Sequence, residues 1–234
     1  MKPILIFRHT ESEGPGYFGE YLDRHNLEYK VICVDQGDEV PDNIDDAAAL
    51  VFMGGPMSVN DSIEWIEPEL NLIRQAVDKN MPVLGHCLGG QLISKALGGT
   101  ITANPVKEFG WLEITKQNNT AAQEWLGELP ASFPAFHWHG ETFSLPYGAT
   151  RILANEFCIN QAFVIGNTLA MQCHVEMTAE LVTLWADLHP EDIATATESV
   201  QTREQLLKNL DERISQLQYS ADKLYDSWTS RISL

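Results

Sequence analysis

The stretch that decides the fold reads Met81-Pro82-Val83-Leu84-Gly85-His86-Cys87-Leu88-Gly89-Gly90-Gln91-Leu92. Its apolar start is typical of a buried strand, and the residues after its last glycine follow a helical pattern. A sharp strand-to-helix turn exposes the side chain at its apex, here Cys87, at the top of a sheet. Glycines leave such a strained turn the room that a Cβ would take. The helix start favours a thiolate at Cys87 and an oxyanion near the N–H of Leu88.

Apolar runs and helical patterns alternate on both sides of this turn. Predicted strands cover residues 4–7, 31–34, 47–53, 83–84 and 168–173, and predicted helices cover residues 17–25 and 62–79. Strands joined in this way form a parallel sheet with helices on its faces. Short alternating segments at residues 112–115, 135–138, 152–153 and 162–165 predict mixed or antiparallel additions. The sequence therefore predicts an α/β fold with a mostly parallel central sheet.

The end of the chain has apolar residues at roughly helical spacing, which predicts a mostly helical tail over residues 195–234. We expect residues 1–190 to form one domain and residues 191–234 to be a helical C-terminal extension packed on it.

Composition excludes several functional classes. The net charge of −18 over 234 residues argues against nucleic acid and anionic membranes as partners. The N-terminal apolar run is too short for a signal peptide, and no run reaches the roughly 18 apolar residues of a membrane span. The four cysteines are widely spaced, without a Cys-x-x-Cys pair, so neither a zinc ribbon nor a disulfide framework is predicted. The simplest expectation is a reduced, cytoplasmic protein.

Amide cleavage by a thiol needs a base, a group that orients the base, and donors for the oxyanion. A free cysteine has a pKa of about 8.5, so Cys87 needs a neighbouring histidine. His174 follows the last predicted strand of the sheet, and Glu176 is close enough to accept its second N–H. Gly54-Gly55-Pro56 ends another strand at the same sheet edge, so the N–H of Gly55 is the second expected oxyanion donor.

Four motifs in order resemble class I, triad-type glutamine amidotransferases, in particular the glutaminase domain of GMP synthetase. They are Gly54-Gly55-Pro56, the Gly-x-Cys-x-Gly-x-Gln at residues 85–91, Trp138-His139-Gly140-Glu141 and His174-Val175-Glu176. The resemblance covers roughly residues 45–180 and implies a flavodoxin-like sheet. It implies a catalytic triad of Cys87, His174 and Glu176, and an oxyanion hole at Gly55 and Leu88. It also implies substrate contacts from Gln91, Trp138, His139, Gly140 and Glu141.

The chain departs from the family pattern at three positions. His86 stands where a small or aliphatic residue is common, Val175 replaces the usual proline, and Glu141 replaces aspartate. None of these removes a reactive group. We expect His86 and Glu141 to bear on which substrate the pocket prefers.

The expected activity is hydrolysis of a γ-glutamyl amide, such as glutamine to glutamate and ammonia, through a Cys87 thioester and without a cofactor. The sequence lacks a Gly-x-x-x-x-Gly-Lys-[Ser/Thr] nucleotide loop, so any ammonia acceptor would be a separate synthetase subunit. Two alternatives stay open. One is a free-standing hydrolase of γ-glutamyl peptides or amines, and the other is a non-catalytic module that binds a metabolite.

Other reactive residue types have simpler interpretations. Cys33, Cys158 and Cys173 lie in apolar runs and are expected to be inert. His137 and His139 alternate along a predicted strand and could form a metal pair, but no third ligand is evident, so no metal is predicted. His9 is interpreted as an ordinary loop residue.

Overall fold

A computed structural model describes residues 2–233 of the chain. Within them the strands are β1 (Ile4–Arg8), β2 (Tyr29–Cys33), β3 (Ala49–Phe52), β4 (Val83–His86), β5 (Ile101–Lys116), β6 (Ser132–Phe143), β7 (Thr150–Ala154), β8 (Ala162–Ile165) and β9 (Thr168–Met171). The helices of the same residues are α1 (Gly16–Arg24), α2 (Ile66–Asp78), α3 (Leu88–Ala96), α4 (Thr120–Leu126), α5 (Ala179–Leu188), α6 (Arg203–Leu207) and α7 (Leu210–Thr229).

One sheet runs through the described residues in the order β2-β1-β3-β4-β9-β8-β7-β5-β6. Strands β2, β1, β3, β4 and β9 pair in parallel, so their carboxyl ends meet at one edge. The remaining pairs, from β9 through β8, β7 and β5 to β6, are antiparallel. The predicted α/β fold with a parallel centre and mixed additions is therefore confirmed.

Alternate residues of the central strands divide the hydrophobic core between the two faces of the sheet. Ile4 and Ile6 of β1 pack into one layer with α1, α5 and α7. Leu5 and Phe7 point the other way, into a layer with α2 and α3. Strands buried on both faces explain why these segments read as continuous apolar runs.

Strands β5 and β6 are much longer than the sequence predicted, with 16 and 12 residues. Their pairing shifts register between Ala103 and Glu108. A bulge of this kind breaks the regular alternation on which strand prediction depends. Helix α4 was also missed, although Asn119 caps it by accepting a hydrogen bond from the N–H of Ala122 at 2.8 Å.

The predicted helical tail is correct for α6 and α7 and wrong for residues 195–202. There the backbone pairs with β5, because the N–H of Phe109 donates to Ser199 and the N–H of Gln201 donates to Phe109, each at 2.9 Å. Helix α7 packs into the layer of α1 and buries Tyr225 and Trp228 completely. The division of the chain at residue 190 stays a prediction. None of the described helices is long and apolar enough to cross a bilayer.

Candidate active site

Cys87 occupies the sharp turn between β4 and α3 and has φ +49°, a backbone conformation that L-residues rarely adopt. Its N–H donates to the carbonyl of Met171 in β9 at 2.8 Å. A Cβ at Gly89 would collide with the carbonyl of Phe52, and one at Gly90 with that of Met171. The glycines therefore let the first turn of α3 lie directly on the neighbouring strands.

His174 lies just beyond β9, opposite β6. Its N–H donates to the carbonyl of Phe136 at 2.8 Å, and the N–H of Phe136 donates back at 3.3 Å. His174 Nδ1 lies 2.6 Å from Glu176 Oε1. Trp185 of α5 packs edge-on against the imidazole, with ring centroids 4.9 Å apart. The ring is thus held by backbone, carboxylate and aromatic contacts together.

Charges around His174 favour its imidazolium form. Burial alone would lower the pKa of His174, but Glu176 and then Cys87 outweigh it, and the pKa lies well above the ordinary value. Burial would likewise raise the pKa of Glu176, yet His86 and His174 lower it to about 2. An anionic Glu176 with a cationic His174 is the arrangement that prepares a neighbouring thiol for attack.

A cavity of about 330 Å³ opens in front of Cys87, close to the lower end of the range for small-molecule sites, roughly 300–1,000 Å³. Most of the residues predicted from sequence line it, namely Gly55, Cys87, Gln91, Trp138, His139, Gly140 and Glu141. Its other lining residues include Glu13, Lys107, His189 and Asp192. The cavity therefore offers both acidic and basic groups to a ligand.

Gln172 contacts Cys87 and was missed from the sequence. Its amide donates to Cys87 Sγ at 3.4 Å, and the amide of Gln91 donates to Gln172 Oε1 at 3.2 Å. Gln91 also reaches the carbonyl of Glu141 at 3.4 Å. The two amides join the sulfur to the β6 wall of the cavity. The position of Gln172, two residues before His174 at the same strand end, was the signal that could have identified it.

Comparison with known proteins agrees with this geometry. The family model "Glutamine amidotransferase class-I" matches residues 19–182, well over half of the chain. The chain belongs to the class I glutamine amidotransferase family. It is 31% identical over 180 residues to the glutamine amidotransferase-like protein YfeJ of Salmonella typhimurium, covering 74% of this chain and 75% of that protein.

Two other kinds of relative carry named activities. Gamma-glutamyl peptidase 3 of Arabidopsis thaliana is 29% identical, over 70% of this chain and 68% of that protein. A glutamine-hydrolyzing GMP synthase subunit of Sulfurisphaera tokodaii is 36% identical over 47% of this chain and 55% of that protein. Among solved structures, a glutamine amidotransferase from Methylobacillus flagellatus is 41% identical, with a TM-score of 0.96 over 100% of this chain and 96% of that one.

His86, the first departure from the amidotransferase pattern, lies behind Glu176. It is completely buried, with Nε2 3.3 Å from the hydroxyl of Tyr225 and 3.7 Å from Glu176 Oε2. Burial lowers the pKa of His86, although the neighbouring Glu176 carboxylate opposes the shift. His86 is not among the lining residues of the cavity, whereas Glu141 is. Any influence of His86 on substrate therefore acts through Glu176.

His139 does not offer a ring nitrogen to a ligand in the cavity. Its Nδ1 lies 2.9 Å from the carbonyl of Glu141, and its Nε2 lies 2.9 Å from Glu108 Oε2. Both nitrogens thus face the interior of the protein. His139 presents the edge of its ring to the cavity, and its two contacts orient this part of β6.

Glu13 is a second missed residue. It lies in the loop between β1 and α1 and lines the cavity beside Gly55 and Cys87. A Cβ at Gly54 would collide with the Glu13 carboxylate and lie 3.1 Å from His174 Cε1, so the two side chains flank the same glycine. Burial raises the pKa of Glu13 to about 7. Its place after a parallel strand, at the edge where ligands bind, was the available signal.

The interpretation of His9 as an ordinary loop residue is wrong. Its side chain is buried, with Nδ1 3.2 Å from the carbonyl of Gly54 and Nε2 3.0 Å from Glu69 Oε2. The buried His9–Glu69 pair anchors the Gly54–Gly55 turn. It therefore fixes the peptide from which the second oxyanion donor is expected.

Two groups of potential metal ligands occur within the described residues. His189, Glu191 and Asp192 form one near the cavity mouth, where Glu191 is exposed. Glu108, His137 and His139 form the other, and all three are buried. The sequence argument against a His137–His139 metal pair assumed that a third ligand was missing. That assumption is wrong, because the register of β5 places Glu108 opposite His139.

Proposed function

We propose that the protein hydrolyses a γ-glutamyl amide bond, with Cys87 as nucleophile, His174 as acid and base, and Glu176 as the group that orients His174. The observation that carries the proposal is the 2.6 Å contact between His174 Nδ1 and Glu176 Oε1 beside a cysteine held at φ +49°. Members of this family are usually cysteine-dependent hydrolases. The site is therefore suited to acyl transfer through a thioester.

In the first half of the reaction, the Cys87 thiolate attacks the γ-carbonyl carbon and a C–S bond forms. The N–H groups of Leu88 and Gly55 hold the resulting oxyanion. His174 then gives a proton to the leaving nitrogen, the C–N bond breaks, and ammonia or an amine departs. In the second half, His174 takes a proton from water, which attacks the thioester and releases the γ-carboxylate. The C–S bond breaks to restore the Cys87 thiolate, His174 keeps the proton taken from water, and the new carboxyl group loses its own proton to solvent.

The polar lining of the cavity supports a substrate with both charges of an amino acid. The carboxylates of Glu13, Glu141 and Asp192 offer partners to an α-ammonium group. The ammonium of Lys107 offers one to an α-carboxylate, although it also lies 3.4 Å from Asp192. The γ-glutamyl group carries both, so we take it as the recognised part. Gln91 and the backbone of Gly140 are the proposed contacts along its side chain.

Two fates of the leaving group are compatible with this chemistry. A free-standing hydrolase of γ-glutamyl peptides is supported by the match along most of a γ-glutamyl peptidase. An amidotransferase subunit that passes ammonia to a separate synthetase is supported by the likeness to the GMP synthase subunit of Sulfurisphaera tokodaii. The chain spans only 26% of the GMP synthase of Aromatoleum aromaticum that it matches. We favour the free-standing hydrolase because the match to the γ-glutamyl peptidase covers more of both proteins than the match to the synthase subunit does.

The decisive test measures glutamate release from glutamine and from a panel of γ-glutamyl dipeptides and amines. Cys87→Ala should abolish release, while Cys33→Ala, a matched change at a half-buried cysteine, should leave it unchanged. A glutamine-like chloroketone should add once, at Cys87, and substrate should protect the site. If no γ-glutamyl compound yields glutamate and Cys87 reacts no faster than a free thiol, the protein is instead a non-catalytic metabolite-binding module.

A stable, stoichiometric synthetase that copurifies with the chain and raises glutaminase activity would favour the amidotransferase subunit over the free-standing hydrolase. Faster turnover of dipeptides than of glutamine by the isolated chain would favour the hydrolase.

A further inference from the structure

A buried polar network lies one layer behind the catalytic wall, and we call it the Glu108 cluster. It consists of Glu108, His137 and His139, joined by Asn155 and Gln161 from the β7–β8 connection. Asn155 donates to Glu108 Oε1 at 2.6 Å, and Gln161 donates to Glu108 Oε2 at 2.9 Å. Glu108, His137 and Gln161 are completely buried, and His139 is 5% exposed.

The Glu108 cluster contains many of the unpartnered buried polar atoms in the described part of the chain. They are His137 Nδ1, His137 Nε2, His139 Nε2 and Gln161 Oε1. Residues 2–233 contain eight such side-chain atoms, so half of them lie in this cluster. Buried polar atoms are nearly always satisfied by protein or by a bound species. Four unpartnered atoms in one place indicate that the cluster encloses a bound species.

The two contacts of His139 define what that species must be. Its Nδ1 faces the carbonyl of Glu141 at 2.9 Å and therefore carries a hydrogen. Its Nε2 faces Glu108 Oε2 at 2.9 Å, and a neutral ring would there set a lone pair against a carboxylate lone pair. Either a proton or a metal cation must lie between the two atoms.

His137 favours the cation. His137 is completely buried, and its Nδ1, on the side of Glu108, has no hydrogen-bond partner. Its Nδ1 lies 3.9 Å from Glu108 Oε1, too far for a hydrogen bond. One ligand atom from each of Glu108, His137 and His139 lies within 4.8 Å of the other two. A proton shared by His139 and Glu108 leaves His137 without a partner, whereas a metal ion engages all three.

The surroundings match those of metal sites in proteins. Histidine ligands usually donate their other N–H to a carbonyl, as His139 does to Glu141. Ligating carboxylates are themselves hydrogen-bonded, as Glu108 is by Asn155 and Gln161. Imidazole nitrogens with a carboxylate suit Zn²⁺, whose ligands lie at about 2.0–2.2 Å and so can be about 3 Å apart.

We propose that Glu108, His137 and His139 bind a divalent transition-metal ion of the zinc class. Closing around the ion needs a shift of His137 toward Glu108, and Gln161 Oε1 is a neighbouring oxygen donor for a further position. The ion would fix β5 to β6 where β6 supplies Trp138, His139 and Gly140 to the catalytic cavity. Its role is structural, and the proposal does not depend on the substrate.

The test strips the full-length protein with a chelator, adds Zn²⁺ or Co²⁺, removes excess metal by gel filtration and measures the metal retained. We expect about one equivalent, a visible absorption spectrum from Co²⁺ with nitrogen ligands, and a Tm that rises with Zn²⁺ concentration. His137→Gln should abolish retention. Asn155→Ala removes the hydrogen bond to Glu108, together with those that Asn155 Oδ1 accepts from the N–H groups of Phe157 and Cys158, and should weaken affinity by about 10- to 100-fold.

His25→Gln is the matched control, since it removes a half-exposed histidine far from the cluster in sequence and should leave retention unchanged. Should His137→Gln not fold, the Co²⁺ spectrum and Tm of the wild-type protein still decide. Wild-type protein that retains no metal, with a Tm indifferent to chelator and Zn²⁺, would overturn the proposal and leave a proton between His139 and Glu108.

Discussion

The hydroxyl of Tyr225 lies 3.3 Å from His86 Nε2, so the C-terminal helix contacts the residue immediately before the nucleophile. On its other side the same nitrogen lies 3.7 Å from Glu176 Oε2. Helix α7 thereby contacts the proposed triad from behind, through a buried histidine. Tyr225 in the C-terminal helix therefore helps to hold a site whose proposed nucleophile, Cys87, follows a strand of the central sheet.

Tyr225→Phe is expected to lower the free energy of unfolding by about 1 kcal/mol, because it removes one buried hydrogen bond. The value of kcat/KM should fall by roughly 2- to 10-fold as His86 loosens beside Glu176. Urea titration and steady-state hydrolysis measure the two effects. Tyr219→Phe, at an exposed tyrosine of the same helix, should change neither. Unchanged kinetics in Tyr225→Phe would show that His86 needs no support from α7.

Glu176→Gln is expected to lower kcat by about 10³- to 10⁴-fold. The glutamine amide can present an N–H to His174 Nδ1, which favours the tautomer that cannot accept a proton from Cys87. Single-turnover kinetics at neutral pH measure the loss. Glu180→Gln, at an exposed position in the first turn of α5, is the control. Near-normal turnover in Glu176→Gln would mean that Trp185 and the backbone orient His174 without the carboxylate.

Glu13 should make the protein less stable as pH rises. Its pKa is raised by burial from 4.5 to about 7, so between these values the folded protein keeps a proton that the unfolded chain has released. Stability therefore falls with rising pH across this window. Glu13→Gln should match the wild type near pH 4 and exceed it near pH 8 in thermal melts. Glu11→Gln, at an exposed position of the same loop, should have the same Tm as the wild type at both pH values.

Glu176 gives the opposite dependence. With a pKa lowered from 4.5 to about 2, its contribution to stability is complete above pH 4.5 and is lost as pH falls toward 2. Glu176→Gln should therefore lose less stability than the wild type over that acid range. Identical acid profiles of the two proteins would show that His86 and His174 do not stabilise the Glu176 carboxylate.

Gly89→Ala is expected to destabilise the protein by at least about 2 kcal/mol, since its methyl group would meet the carbonyl of Phe52 in the rigid centre of the sheet. Gly14→Ala is the control, because no atom lies within 4 Å of the new methyl group. Denaturant unfolding compares the two. A Gly89→Ala protein as stable as the Gly14→Ala protein would contradict the close contact between α3 and β3.

The turn around Cys87 could be predicted because its signals are local. An apolar strand, closely spaced glycines and a helical pattern lie within one short stretch, and each agrees with the others. His174 and Glu176 followed from the same rule, that ligands gather at the carboxyl ends of parallel strands. Sequence thus predicted the residues whose placement depends only on strand order.

Residues placed by register were beyond prediction. Glu108 meets His139 because β5 and β6 pair in one particular register, and nothing in the spacing of apolar residues announces that register. Residues 195–202 fit a helical pattern, but the backbone there bonds to Phe109 instead, with Ser199 accepting from it and Gln201 donating to it. In both cases a long-range backbone pairing outweighs the local signal.

Reciprocal backbone hydrogen bonds join Phe136 of β6, the strand that lines the cavity, to His174, the proposed catalytic base. Strand and histidine thus form one rigid unit. This limits how the pocket can be redesigned. Side chains along the wall can be exchanged, but inserting or deleting a single residue between Phe136 and Gly140 would turn every following side chain to the other face. New specificities on this scaffold are therefore accessible through point substitutions, whereas length changes belong in the loops away from β6.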